Sequence, residues 1–410
     1  MFIVYKILIN IVLLFSPLIV LIRLIKGKED INRFQEKLGF FKKKKKNGNL
    51  VWLHGASVGE IQSIIPLVEK FEKDIKIKQI LITSNTLSSS FIIKNIKLKK
   101  TIHQYFPIDC DFISKKFLNY WKPSKVFFVD SEIWPNTLNN LYNKNIPIIL
   151  LNGRITKKTF RKWVFFSSFS KYIFSKFDLC LSSSYESKRY LKKLGAKKVK
   201  FIGNLKFSQS ENKENNLDKR LIKLINSRNT WCASSTHYNE EKFCGYTHLN
   251  LKKKYKNILT IIIPRHINRT DFIISELKKM NLKVHLDFPK KKIDSNTDIY
   301  LVNSYGKTKK FYKACKNVFL GGSLINHGGQ NPLEAARYGC EILHGPNVSN
   351  FTEIYKFLNE RKISFKVSNQ VQLEKKLEKN LKKKNQSKKI INNLKFIGTD
   401  ILKKTYKEIY

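Results

Sequence analysis

The stretch FLGGSLINHGGQNPLEAARYGCEILHGP, residues 319–346, has the pattern strand, glycine-rich loop, helix, strand. A buried strand is predicted to end at Leu320, and the glycines after it predict a tight turn. Gly328 and Gly329 allow the backbone to come close to a ligand. Pro332 suits the first turn of a helix. This order indicates a parallel α/β sheet, in which ligands bind at the carboxyl ends of the strands.

The loop within this stretch is typical of an anion-binding loop. Backbone N–H groups and the start of the following helix attract a negative charge, usually a phosphate. Glu334, in the first turn of that helix, would hold a ribose diol. A structural interpretation stays open beside this one. Asn331 and Glu334 have capping-box spacing, so both would then only satisfy backbone donors.

The charge of the chain is strongly positive, with 79 Lys and Arg against 31 Asp and Glu and a formal net charge of +48. At 410 residues, 42% of them hydrophobic, the chain is long enough for two folded domains. The lysines are spread along the whole sequence, without a recognition helix, an RNA-binding signature or zinc-finger spacing. We therefore expect no nucleic-acid partner and a preference for anionic substrates and surfaces.

The six cysteines include no C-x-x-C pair, and in a chain of this length they predict a reducing compartment rather than a disulfide framework. His237 and His327 lack partners at metal-ligand spacing, so we expect no metal site. The sequence contains no P-loop, nucleophile elbow or dinucleotide-binding fingerprint. We expect no cofactor.

The N-terminal residues 7–25 are almost entirely apolar, and their number approaches the roughly 20 residues that cross a bilayer. Cations follow, including Lys26, Lys28 and the run 42–46, which predicts that the rest of the chain lies in the cytosol. A small-residue cleavage site is missing, which argues against a signal peptide. We expect a single N-terminal anchor on the cytoplasmic face of the inner membrane. A buried or interfacial helix is the alternative.

Predicted strands and helices alternate along the chain, which indicates parallel sheets joined by crossover helices. A polar segment that begins at Ser208 interrupts this alternation and is interpreted as a linker. The predicted organisation is an anchor, 1–26; a first Rossmann-like domain, 27–208; the linker, 209–225; a second Rossmann-like domain, 226–390; and a C-terminal helix, 391–410.

Two acidic residues of the first domain are candidates for chemistry at predicted strand ends. Glu60 follows a small-residue turn, and a carboxylate in that position can take a proton from a hydroxyl group. Its structural alternative is a capping box with Ser57. Glu132 follows another strand of the same domain, and its alternative is a cap or a salt bridge.

Three cations also lie at predicted strand ends. Arg154 and Lys206 belong to the first domain, and for each a surface cation is the alternative. Arg265 follows a strand of the second domain, where a guanidinium can grip a phosphate through two parallel hydrogen bonds. Its alternative is a salt bridge at the surface.

In chain order, these residues lie in segments that resemble one family, the 3-deoxy-D-manno-octulosonic acid (Kdo) transferases of lipopolysaccharide biosynthesis. The segments span nearly the whole chain, and the long C-terminal one is the most specific. They are WLHGASVGE (52–60), DSEIWPN (130–136), NGRIT (152–156), GNLKF (203–207), ASSTH (233–237), PRH (264–266) and GGSLINHGGQNPLEAARYGCEILHGP (321–346). The apolar N-terminus, followed by GKED (27–30) and RFQEKLG (33–39), also resembles the family's anchor.

The resemblance implies a GT-B-type glycosyltransferase fold, in which an acceptor-binding and a CMP-sugar-binding Rossmann-like domain face a central cleft. It implies inverting transfer of Kdo from CMP-Kdo to a lipid A precursor, lipid IVA, without a metal. Glu60 would be the general base and Glu132 a second essential acid, and Ser57 and Arg154 would be acceptor or cleft contacts. The implied contacts of CMP-Kdo are Lys206, Arg265, Gly322, Ser323, Asn331 and Glu334.

The chain departs from the family pattern at two places. Asp130 stands where the family usually has Glu, and residues 303–307, NSYGK, stand where it usually has Asp-Thr-Met-Gly-Glu. Nucleotide contacts of that second loop are therefore not carried over. Two other interpretations remain: a GT-B transferase for another nucleotide sugar and lipid acceptor, and a basic protein that binds membranes or nucleic acid without catalysis. The latter predicts charge clustered in one patch and no cleft.

Overall fold

The chain forms two compact units in a computed structural model. The described residues are 1–96, 98–209, 216–288, 293–383 and 385–410. The first unit comprises Met1–Ser210 and Ile397–Tyr410, and the second comprises Glu211–Phe396. The last helix is thus divided between the units, whereas the sequence predicted it as a separate element.

The first unit contains a seven-stranded sheet, counted over the described residues, in the order β3-β2-β1-β4-β5-β6-β7. All its strand pairs in the described part of the chain are parallel. The strands are β1 (Leu50–His54), β2 (Gln79–Ser84), β3 (Thr101–Tyr105), β4 (Lys125–Val129), β5 (Ile148–Gly153), β6 (Leu179–Ser182) and β7 (Val199–Phe201). The order of the strands reverses between β1 and β4, which is where open α/β sheets bind ligands.

The second unit repeats this plan with the order β10-β11-β9-β8-β12-β13-β14, again seven parallel strands within the described ranges. These strands are β8 (Asn229–Thr236), β9 (Ile258–Pro264), β10 (Val284–Leu286), β11 (Ile299–Leu301), β12 (Asn317–Leu320), β13 (Glu341–His344) and β14 (Ser364–Lys366). Its reversal lies between β8 and β12, so β8 corresponds to β1 of the first unit.

Helices connect the strands in both units. Those of the N-terminal part are α1 (Phe2–Ile25), α2 (Val58–Lys73), α3 (Leu87–Lys94), α4 (Asp111–Trp121), α5 (Pro135–Asn143), α6 (Lys157–Phe165), α7 (Ser167–Phe174) and α8 (Tyr185–Lys193). Those that follow are α9 (Lys219–Ser227), α10 (Glu240–Lys254), α11 (Thr270–Lys279), α12 (Thr308–Ala314), α13 (Pro332–Arg337), α14 (Thr352–Glu360), α15 (Gln370–Leu381) and α16 (Ser387–Ile409).

Strand burial explains why the sequence predicted a parallel sheet. Every residue of β1 is buried, and so is every residue of β8 except Asn229 and Ser235. Strands covered by helices on both faces become continuous apolar runs rather than alternating ones. The helices bury one face against them, as α2 does with Ile61, Ile64 and Val68.

Helix α1 lies along the first unit. Tyr5 near its start donates a hydrogen bond to Asp109 at 2.8 Å, and Asn10 accepts one from Cys110. Arg23 near its end pairs with Glu29. The other side of α1 carries exposed apolar residues, namely Ile3, Val4, Ile7, Leu8, Ile11, Val12, Leu14, Phe15, Leu18, Ile19, Leu21, Ile22 and Ile25. By length and composition α1 is able to cross a membrane.

The alternating strands and helices predicted from the sequence are present in both units, but the predicted linker, 209–225, differs from the observed structure. Its last part, within 209–225, is the start of α9, which Asp218 caps through a bond from the Arg220 amide at 2.8 Å. The polar composition of the segment obscured this short helix. Residues 210–215 of the predicted linker lie outside the described residues. All six cysteines are buried and free.

Candidate functional site

The first group of candidate residues lies at the carboxyl ends of β1, β4 and β5, which are neighbours in the sheet. His54 ends β1, Asp130 follows β4, and Asn152 lies near the end of β5. Asp130 and Asn152 both have a positive φ, of 56° and 53°. Residues other than glycine rarely adopt this conformation, and it concentrates at functional sites. The backbone therefore turns sharply where the polar side chains meet.

Glu60 lies in the first turn of α2, directly after β1. Its carboxylate accepts hydrogen bonds from the Ala56 amide at 2.7 Å and from the Ser57 hydroxyl at 2.9 Å. The Glu60 amide in turn donates to the Ser57 hydroxyl at 3.5 Å, so Ser57 caps the helix as the capping-box alternative expected. The carboxylate departs from that motif, because it binds the amide of Ala56, the residue before the cap. The cap does not exclude a chemical role, because it fixes the carboxylate in one orientation.

The surroundings of Glu60 raise its pKa to about 7. Burial is the largest cause, followed by the negative charges of Glu132 and Asp130; the bonds from Ser57 and Ala56 oppose the shift. A carboxyl group with this pKa exchanges its proton near neutral pH, which is the condition for an efficient general base.

Glu132 shares a hydrogen-bonded cluster with two ring systems. Its Oε2 accepts from Trp134 Nε1 at 3.0 Å and lies 3.3 Å from His54 Nε2. The His54 ring is fully buried, and its other nitrogen lies 2.9 Å from the hydroxyl of Thr83. The side chain of Glu132 is 15% exposed, so these contacts hold it in place while part of it remains open to solvent.

Asp130 organises the adjoining strand ends. It accepts from the side chain of Asn152 and forms an ion pair with Lys206 Nζ at 3.0 Å. Arg154 donates its backbone amide to the Asp130 carbonyl at 3.1 Å. Lys206, expected from the resemblance to contact the sugar nucleotide, therefore lies in the first unit with its charge directed at a carboxylate there. Its donor contact stays a prediction.

The second group of residues lies at the switch point of the other sheet, where the loops after β8 and β12 meet. The carboxylate of Glu240, the first residue of α10, is buried beneath the glycine-rich loop. It accepts hydrogen bonds from four backbone amides at 2.7–3.1 Å, which belong to His237, Gly322, Ser323 and Leu324.

This arrangement changes the expectation for the loop. The sequence predicted that its N–H groups bind a phosphate, but those of residues 322–324 already bind the carboxylate of Glu240. The hydroxyl of Ser323 is occupied as well, since it donates to the Leu320 carbonyl and accepts from the Gly345 amide at 2.8 Å. Ser323 is fully buried, so it supports the loop from within.

Side chains beside the loop supply cationic and aromatic surface. Arg265 is exposed at the end of β9, and its amide donates to the Thr236 carbonyl at 3.0 Å. The ring centroid of His237 lies 4.4 Å from that of His327 and 5.9 Å from that of His266. In the described part of the chain, no cluster of three or more His, Cys, Asp and Glu residues is arranged to hold a metal ion.

The short helix α13 follows the loop. Asn331 caps it by accepting from the Leu333 amide at 3.1 Å, as the structural interpretation predicted. Glu334 lies in its first turn and is partly exposed. The departure at residues 303–307 also has a physical basis, because Lys307 forms an ion pair with Asp287 at 2.6 Å. The lysine therefore stabilises that loop internally.

Sequence reasoning missed Glu240, His54 and Asn152. His54 and Asn152 lie at strand ends within the quoted segments 52–60 and 152–156, but the sequence analysis assigned no role to either. Glu240 carries a weak signal, since it lies three residues after His237 at the start of a helix. That spacing indicates only a cap, and three of the four amides that Glu240 binds are 82 to 84 residues away in sequence.

Comparison with solved structures identifies the fold class of the chain. The fold resembles that of a putative UDP-N-acetylglucosamine 2-epimerase from Listeria monocytogenes, with a TM-score of 0.58 at 12% identity over 88% of this chain and 97% of that chain. At this identity the likeness concerns the fold alone. With its two seven-stranded parallel sheets in the described residues, the chain has a GT-B-type fold.

The sequence comparisons give the family. A family model described as 3-deoxy-D-manno-octulosonic-acid transferase (kdotransferase) matches residues 32–209. The transferase of that name from Rickettsia bellii is 32% identical over 87% of this chain and 85% of its own length. The one from Haemophilus influenzae is 29% identical over 76% and 74%. The chain belongs to the 3-deoxy-D-manno-octulosonic acid transferase family, and it is a glycosyltransferase.

Proposed function

We propose that the protein transfers Kdo from CMP-Kdo to a lipid A precursor, lipid IVA, with inversion at the anomeric carbon. Family membership supports Kdo transfer in lipopolysaccharide synthesis. The observation that carries the mechanism is the environment of Glu60, whose pKa is raised to about 7 at the switch point of the first sheet. No metal or cofactor is part of the proposal.

Glu60 acts as the general base. It takes the proton of an acceptor hydroxyl while the oxygen forms a bond to the anomeric carbon of Kdo. The bond from that carbon to the phosphate oxygen breaks, and CMP leaves with the electron pair. Burial, together with the charges of Glu132 and Asp130, keeps the pKa of Glu60 high. Ser57 orients the carboxylate, and Arg154 is a further acceptor contact.

The donor is bound by the second unit. Arg265 is the group we assign to the phosphate, because an exposed guanidinium at a strand end can form two parallel bonds with it. Glu334 is assigned to the ribose and Asn331 to the start of α13. Gly322 and Ser323 shape the loop, and Lys206 remains a proposed contact of the Kdo carboxylate.

The test of this function is a measurement of CMP release from CMP-Kdo with and without the lipid A precursor. The proposal expects release that depends on the lipid and yields a Kdo-lipid product. Release with a UDP-sugar in place of CMP-Kdo would identify another GT-B transferase. Binding to membranes or nucleic acid without CMP release would contradict an enzymatic role for this chain.

We also propose that α1 attaches the protein to the cytoplasmic face of the inner membrane by lying in the interface. A helix rises about 1.5 Å per residue, so a spanning α1 would carry Tyr5 roughly 27 Å away from Arg23 across the bilayer. Yet Tyr5 contacts Asp109 and Arg23 contacts Glu29, all within the first unit. Contacts at both ends, with an apolar outer side, support an in-plane helix.

Two measurements test the attachment. Deletion of residues 2–25 should release the protein from membranes at high salt, where electrostatic attraction of the basic surface is screened. A tag fused before Met1 should resist protease added outside spheroplasts. Cleavage of that tag from outside would show that α1 crosses the bilayer, and retention of the truncated protein at high salt would contradict α1 as the attachment.

A further inference from the structure

We propose that Glu240 is a positioning residue that fixes the shape of the donor-binding loop by taking the place of an anion beneath it. The inference rests on the proposed function for the identity of the ligand, CMP. The amides of the glycine-rich loop then bind a carboxylate of the protein itself. The donor phosphate must then be held by other groups.

Each carboxylate oxygen of Glu240 accepts two backbone hydrogen bonds. Its Oε2 accepts from the amides of Gly322 at 2.7 Å and His237 at 2.9 Å, and its Oε1 from those of Ser323 at 3.1 Å and Leu324 at 3.0 Å. The residue is 1% exposed. A buried carboxyl group with two amide donors on each oxygen is fixed in one position, because moving it would leave four buried N–H groups without an acceptor.

Position 321 has no space for a side chain. A Cβ there would lie 2.7 Å from Glu240 Oε2 and 2.5 Å from the Ser235 carbonyl. The loop after β12 therefore rests directly on the turn after β8. One carboxylate joins the two loops that border the switch point of this sheet.

The effect of Glu240 extends along the loop. The Gly322 carbonyl accepts from the Gly329 amide at 2.8 Å, so the position of Gly322 determines that of the second glycine pair. Gly322 and Gly329 have φ values of 64° and 75°, which favour glycine. Two residues after Gly329 comes Asn331, the cap of α13. A shift at Glu240 should therefore alter the presentation of the residues assigned to the nucleotide.

Glu240→Gln tests the inference with a side chain of the same size. The carboxamide replaces one oxygen by an NH2 group that faces two N–H donors, so two amides lose their acceptor. We expect CMP affinity, measured by calorimetry, to fall about 10- to 100-fold. The KM for CMP-Kdo should rise more than kcat falls. Amide hydrogen exchange at residues 322–324 should become faster.

Glu241→Gln is the matched control. Its carboxylate is also buried at the start of α10, but it pairs with Arg269 through two contacts at 3.1 Å. The same substitution there should lower stability and leave CMP affinity and the exchange of residues 322–324 unchanged. A purely structural role for Glu240 predicts that both variants behave like this control.

The outcomes separate this inference from the proposed function. If the wild-type protein fails to bind CMP, the proposed function is wrong. Amide hydrogen exchange at residues 322–324 in the ligand-free proteins still tests the role of Glu240. A folded Glu240→Gln protein with normal CMP affinity overturns the inference. If that variant does not fold, Glu240→Asp, which keeps the charge but is shorter, should show weakened CMP binding. Rapid exchange of residues 322–324 in the wild type would also overturn it.

Discussion

Glu60 and Glu240 occupy corresponding positions in the two units and have opposite surroundings. Each lies in the first turn of the helix that follows the strand beside the reversal of its sheet, β1 or β8. Glu60 accepts from one backbone amide and one hydroxyl and lies near two other carboxylates. Glu240 accepts from four backbone amides. One residue type at equivalent places is thus prepared for different tasks.

The difference follows from how a protein treats a buried negative charge. Hydrogen bonds from N–H groups favour the charged form of a carboxyl group, whereas burial and neighbouring negative charges favour the neutral form. Glu240 has four backbone donors, which hold its carboxylate in one position. Burial, followed by the negative charges of Glu132 and Asp130, raises the pKa of Glu60 to about 7, and its two donors only partly oppose this shift. The two strand-end carboxylates therefore differ in the number of their donors and in the charges beside them, and only Glu60 has the surroundings proposed for a base.

The largest predicted effect is a loss of turnover on substitution of Glu60 by Gln, and the same substitution at Glu240 provides the comparison. Glu60→Gln keeps the size of the side chain but cannot accept a proton. Turnover should fall about 10²- to 10⁴-fold, the usual contribution of general-base catalysis, while CMP affinity stays at the wild-type value. Steady-state kinetics and calorimetry measure both. Glu240→Gln should show the reverse pattern, with weakened CMP binding.

Normal turnover of Glu60→Gln would remove Glu60 from the mechanism and make Glu132 the next base to test. An unfolded variant would instead mean that the capping box with Ser57 is the main role of this carboxylate. Equal loss of CMP affinity in the Glu60 and Glu240 variants would contradict the proposal that Glu60 serves catalysis and Glu240 serves donor binding.

The second prediction concerns the donor side. Arg265→Ala removes the exposed guanidinium assigned to the phosphate, and CMP affinity should fall about 10- to 100-fold because charge-assisted bonds are lost. Glu334→Ala should weaken CMP binding through the ribose. Isothermal titration of CMP into each variant measures both effects.

Arg228→Ala is the control for Arg265. Arg228 donates to the carbonyls of Asn257 at 3.1 Å and Thr297 at 2.7 Å, which lie just before β9 and β11, at the opposite end of the sheet from Arg265. Its loss should lower stability and leave CMP affinity unchanged. Unaltered CMP binding in both Arg265→Ala and Glu334→Ala would mean that the donor binds elsewhere. Lower thermal stability alone in Glu334→Ala would support the capping interpretation.

The third prediction is a pH dependence with a definite sign. A protonated Glu60 cannot act as a base, so kcat/KM should fall about tenfold per pH unit below the pKa of about 7 and reach a plateau above it. Measurement from pH 5 to pH 9 at saturating lipid checks the position of the acidic limb. A limb near the ordinary pKa of a glutamate would contradict the environment described for Glu60.

The same pKa affects stability. Because the folded-state pKa lies above the unfolded value of 4.5, the favourable contribution of protonated Glu60 is complete below pH 4.5 and is lost as the pH rises through about 7. Glu60→Gln does not ionise. Urea denaturation should therefore show the variant gaining stability relative to the wild type between pH 5 and pH 8. A constant difference across this range would contradict the raised pKa.

The sequence predicted the sheets and the strand-end acids because both depend on local patterns. The alternation of predicted strands and helices indicated the parallel sheets, and a small-residue turn placed Glu60 at a strand end. The partner of the glycine-rich loop was not predictable in this way. Gly322 and Glu240 are 82 residues apart, and only the folded sheet brings β8 and β12 together. The pKa of Glu60 likewise depends on Glu132, which a distant strand supplies.

The smallest predicted effect distinguishes a cap from a base at one position. Ser57 donates to Glu60 Oε1 at 2.9 Å and accepts from the Glu60 amide at 3.5 Å. Ser57→Ala removes the cap, which costs about 0.5–2 kcal/mol of unfolding free energy; the long second bond favours the lower end. The first bond also lowers the pKa of Glu60, so its loss should raise that pKa further.

The acidic limb of the pH profile should therefore move to higher pH in Ser57→Ala, and turnover lost at pH 7 should return at pH 9. Ser184→Ala provides the comparison, because Ser184 caps α8 of the same unit through a bond from the Ser187 amide at 3.1 Å. Its loss should cost a similar free energy without moving the limb. If the two variants lose equal stability and both keep the wild-type pH profile, Ser57 holds the helix start but does not tune Glu60.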